Sequence, residues 1–107
     1  METGSLVVLS CTGPREKFWG VLLSLAPVGV TLRGVSVAAF DEWVRDCARN
    51  GPRLLGPVTL FIPAHRIERI ELDEAVGVVV SLGQRFTREA GMNPIAVLTA
   101  ASPQPTR

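Results

Sequence analysis

Phe40, Trp43, Val44, Cys47 and Ala48 stand at i, i+3, i+4, i+7 and i+8, which draws one apolar stripe down a helix. On either side of that stripe the apolar residues fall instead into short β-type runs closed by glycine or proline. Both patterns must be buried, and a helix laid on a sheet buries both. The spacing therefore predicts an α+β fold, an antiparallel sheet with a helix inserted over about 37–50.

The strand signals come in order. Residues 6–11 are β-rich and end at Thr12-Gly13-Pro14. Residues 18–25 and 30–37 read as a hairpin turned at residues 26–29, with Gly34 marking a sharp bend or a close approach of another backbone. Asp41 and Glu42 early in the helix, and Arg45 and Arg49 late, complement its dipole. Ser36 is a candidate N-cap, and Asn50-Gly51-Pro52 is a stop signal. Arg53 to Pro57 is a linker, and residues 58–62 make a fourth strand.

Residues 64–72 fit either element. Ile67 and Ile70 are three apart, as in a helix, whereas residues 68–72 alternate like a strand. Residues 73–77 look like a loop. Ser81 and Gln84 match a capping box for a helix over about 81–91, ended by Gly91. Asn93-Pro94 opens a last helix over about 94–100. Residues 101–107 form a polar tail expected to fray. A length of 107 residues suits a single domain.

Several function classes are disfavoured at this level. The formal net charge of +1 lacks the basic excess of a general nucleic-acid binder, so such a site would have to be local. Cys11, Cys47 and the single His65 cannot supply a zinc site, and no metal or cofactor is expected. Two isolated cysteines suit buried thiols in a reducing, cytoplasmic setting. Residues 1–11 have the outline of a lipoprotein leader but lack its basic start and apolar length. No stretch is long enough to span a membrane. No nucleophile, acid or base forms a constellation, so catalysis is not expected. Glu68, Glu71, Asp73 and Glu74 read as a solvated face beside Arg66 and Arg69, without calcium-loop spacing.

The middle of the chain resembles the Sm-like family of small SH3-like barrels, and within it the Hfq-like bacterial RNA chaperones. Gly20-Val-Leu-Leu-Ser-Leu25, a turn and Val30-Thr-Leu32 fill the pattern of a first signature. Phe61-Ile-Pro-Ala-His-Arg-Ile-Glu-Arg-Ile70 fills a second, in which a tight turn joins strands four and five. The likeness covers about residues 6–72 and implies a small, strongly bent antiparallel five-stranded sheet or barrel, in which residues 64–72 are a turn and a strand. It lacks the family's leading helix, and residues 26–29 are apolar where the family has base-recognising polar groups. It carries over only His65 and Arg66.

Two functions follow as expectations. The first is a non-catalytic interaction or assembly module, which pairs with a protein partner or with itself through strand edges at Val58, Leu60, Ile62, Ile67, Ile70 and Leu72. The second is binding of RNA or another single-stranded nucleic acid through His65, Arg66, Arg15, Lys17 and Trp19, a basic and aromatic mixture able to stack bases. The simpler role of Trp19 is packing, and that of His65 is local hydrogen bonding in a turn.

Overall fold

The computed structural model describes residues 1–49 and 55–100. The stop signal at residues 50–52, part of the expected linker and the tail at 101–107 lie outside them. Five strands, β1 (Leu6–Cys11), β2 (Glu16–Ala26), β3 (Gly29–Ser36), β4 (Val58–Pro63) and β5 (Ile67–Leu72), form one antiparallel sheet in the order β4-β3-β2-β1-β5. Three helices, α1 (Phe40–Ala48), α2 (Leu82–Ala90) and α3 (Pro94–Thr99), complete the α+β architecture among the described residues.

Strand alternation gives the sheet two apolar faces. On one, Val7, Leu22, Val30 and Leu32 make a buried cluster, and Leu9, Cys11 and Ile62 make a second beside it. Ile62 belongs to β4, which stands three strands from β1 in the sheet order. A flat sheet would separate those strands by about 14 Å. Their shared cluster therefore requires the sheet to curl. The curl stops short of a closed barrel, because β4 pairs only with β3 and β5 only with β1.

On the other face Trp19, Val21 and Val35 meet Phe40, Trp43, Val44, Cys47, Phe86 and Leu98 from the helices. Phe40, Trp43, Val44 and Cys47 of the predicted stripe thus form the buried face of α1, whereas Ala48 at its end is exposed. Trp43 stacks on Phe86 with ring centroids 4.8 Å apart, and Trp19 meets Phe40 edge-on at 5.1 Å. Such paired rings add to plain area burial. Arg33 anchors α3 by donating from Nε to the Leu98 carbonyl at 2.9 Å.

Local signals work largely as read. The Ser81 hydroxyl accepts from Gln84 N while the Gln84 side chain accepts from Ser81 N, which completes the capping box. Asn93 caps α3, and Gly91 closes α2 in the left-handed region. Ser36 caps a 3-10 turn, Val37–Ala39, and α1 itself begins at Phe40. Gly20 and Gly34 face each other across β2 and β3, where a Cβ on Gly34 would lie 2.7 Å from the Gly20 Cα. The close approach expected at Gly34 is this pair.

Candidate functional site

The two outermost strands carry the residues singled out for partner contact. Among the described residues nothing pairs with the outer side of β4 or of β5. β4 owes its inward face to Leu60 and Ile62, which alternation turns toward the curled sheet. Ile62 is buried, so its side chain cannot belong to an exposed interface, and that assignment is corrected. Leu60, Ile67 and Ile70 are half-buried against the same clusters, and only their strands' backbones reach the edge. Val58 and Leu72 are exposed at 53% and 45%. Phe61, absent from the sequence-based set, is exposed at 51% on the outward side of β4.

A 3-10 turn, Ala64–Arg66, joins the two edge strands. It is three residues long, and residues 67–72 beyond it are strand rather than the helix that the isoleucine spacing also allowed. The spacing has another cause. Ile70 pairs with Leu9, Arg69 with Ser10 and Ile67 with Cys11, which leaves Glu68 unpaired as a bulge. The extra residue brings Ile67 and Ile70 to one face although they are three apart.

The residues considered for nucleic acid divide. Arg15, Lys17 and His65 are exposed. Arg66 donates from Nε to the Thr12 carbonyl at 3.0 Å, and from its terminal nitrogen to the Pro14 carbonyl at 2.9 Å and to Glu16 Oε2 at 2.7 Å. Its guanidinium therefore ties the β4–β5 turn to the β1–β2 turn, which contains a cis Gly13-Pro14 bond. Trp19 is fully buried, and its Nε1 donates to Asp73 Oδ2 at 2.9 Å. It has no free ring face for a base, so its assignment to a binding surface is corrected: it is a core residue.

The sequence reading also missed how β5 ends. Asp73 N donates to the Leu6 carbonyl at 2.9 Å. The Asp73 carboxylate accepts from Leu82 N at 2.9 Å and from Gly83 N at 2.7 Å, besides Trp19. It thus holds the first turn of α2 against β5 and closes the base of the loop between them. At the tip, Val76 and Val79 exchange two backbone hydrogen bonds of 2.9 and 3.0 Å. Gly77 supplies the positive φ of 59° that this tight turn needs. Val78 projects at 99% exposure, flanked by exposed Val76 and Val79. The uncharged apolar run 75–80 was the available signal.

Elsewhere the chemistry is quiet. Burial pushes the Cys11 thiol above its ordinary value, partly offset by the Arg66 charge. Its nucleophilic thiolate is correspondingly disfavoured. Among the described residues no group of His, Cys, Asp or Glu is arranged to hold a metal ion, and no helix is long and apolar enough to cross a membrane. No family model, curated protein or solved structure matches the chain.

Proposed function

We propose that this protein is a non-catalytic interaction or assembly module of the small-barrel type, which joins to further copies through the open edges of β4 and β5. One observation carries the reading. Both edges of a curled five-stranded sheet keep unpaired backbone ladders, each with an exposed apolar residue alongside, Val58 and Phe61 on one and Leu72 on the other. Open ladders are templates for strand addition unless charge, proline or a covering element blocks them. Among the described residues the only such blocker on β4 is Pro63, at the strand's last position, whereas β5 carries Glu68, Arg69 and Glu71 and is the more guarded edge. The antiparallel order, in which β5 returns beside β1, and the single-turn link between β4 and β5 support the Sm-like resemblance. Size-exclusion chromatography with light scattering across the micromolar range is the test. Masses at multiples of the 11.5 kDa chain are expected. A strict monomer that also retains no protein on pull-down overturns the reading.

A second reading, binding of single-stranded RNA, is favoured by one arrangement. The Arg66 contacts draw the turn holding exposed His65 to exposed Arg15 in the β1–β2 turn and exposed Lys17 at the start of β2. Fluorescence anisotropy with uridine- and adenosine-rich oligomers at two salt concentrations tests it. A salt-sensitive complex supports it, and absence of binding at low salt removes it.

A further inference from the structure

The two edges of the sheet carry complementary shapes. Beyond β5 stands the valine-tipped turn 76–79, a protruding apolar knob closed by its own hydrogen bonds and held at its base by Asp73. Beside the start of β4 lies a hollow of about 180 Å³, between β3 and α1. Gly34, Val35, Ala39, Trp43, Leu55 and Val58 line it, with Glu42 at the polar rim. The hollow exceeds the volume of a valine side chain, and no charge occurs in the knob from residue 75 to 80.

We infer that the turn 76–79 of one copy seats Val78 in the hollow beside β4 of a second copy, in a head-to-tail contact. This rests on the edge-pairing reading above and names the side chains that would complete it. Strand direction selects the hollow. Every pairing within the sheet is antiparallel, which is also the commoner arrangement in general. A second copy's β5 added antiparallel to β4 brings its Leu72 toward Val58. The chain beyond Leu72, which forms the knob, then emerges at the hollow. Parallel addition would carry the knob to the other end, near Pro63 and Val28.

Size gives a reason for the contact. A six-residue strand is about 20 Å long, and one ladder of that length covers well under the ~800 Å² per partner of a stable interface. The knob and hollow extend the ladder with apolar surface at the same end. The contact is heterologous, with different patches on the two copies, so repetition produces a ring or an open chain.

The test uses the full chain in two ways. Val78→Asp alters a side chain that touches nothing needed for folding, and circular dichroism verifies that the fold is kept. A Val78→Cys chain mixed with a Leu55→Cys chain is then oxidised mildly, and a Val78→Cys and Val28→Cys mixture serves as the comparison. The native thiols are buried and do not compete. We expect V78D to weaken self-association at least tenfold, and the disulfide to form with Leu55→Cys and not with Val28→Cys. If the wild-type chain assembles but V78D assembles equally well, or the crosslink forms with Val28→Cys instead, the knob-and-hollow contact is wrong and edge pairing stands. A wild-type chain that stays monomeric throughout removes both.

Discussion

The Asp73 carboxylate accepts a hydrogen bond from the buried Trp19 indole at 2.9 Å while also holding the first two amides of α2. One side chain thus joins the end of β5, the aromatic core and a helix start. Asp73→Ala would leave the indole N–H unsatisfied in the core and remove two helix-end acceptors. Ser81 still caps α2, which limits the second loss. A destabilisation of about 2–3 kcal/mol is expected, read as a shift of the urea midpoint at constant slope. A loss under ~0.5 kcal/mol, the usual range for surface changes, would mean that the contact is incidental.

Gly34 has no room for a side chain. An added Cβ would lie 2.7 Å from the Gly20 Cα and 2.8 Å from the Trp19 carbonyl carbon. Gly34→Ala must push β2 and β3 apart, at a cost of roughly 1–3 kcal/mol as for overpacking elsewhere. Gly56 meets nothing within 4 Å, so Gly56→Ala is the matched control. Thermal melting should separate the two, with the control unchanged or slightly stabilised.

Arg66 holds two turns together, and its role depends on the planar fork of its donors. Arg66→Ala should destabilise the fold by about 1.5–3 kcal/mol, as for bonds to a charged group. Arg66→Lys should not restore it, because an ammonium cannot span the same acceptors. Urea titration of the three chains checks this. Full rescue by lysine would show that charge alone matters there.

Cys11 links stability to alkaline pH. Its folded thiol titrates above the unfolded value, chiefly through burial. Unfolding therefore releases a proton once the pH passes the unfolded value, and the folded state loses stability as pH rises toward the folded one. Below about pH 8.5, the ordinary thiol value, this group adds no slope. Urea midpoints measured upward from that pH should fall more steeply for the wild-type chain than for Cys11→Val. Identical slopes would contradict the assignment.

What the sequence made legible follows the range of each interaction. The stripe of α1, the Ser81–Gln84 box and the Asn93-Pro94 start are signals within a few residues, and they read directly. The bulge at Glu68 depends on pairing with β1, so the spacing of Ile67 and Ile70 alone could not separate strand from helix. Asp73 looked like one more surface acid because its partners Trp19, Leu82 and Gly83 are set by the tertiary fold. For the candidate interface, Val58 and Leu72 are exposed, while alternation turns Ile62 inward and Phe61 outward. That phase is fixed by the register of β4 on β3.

Hydrogen–deuterium exchange measured against protein concentration tests edge pairing most directly. If β4 and β5 pair between copies, the outward amides of residues 58–62 and 67–72 gain protection as concentration rises, while those of β1, β2 and β3 keep constant rates. Edge amides that exchange at one rate across the whole concentration range would contradict the account.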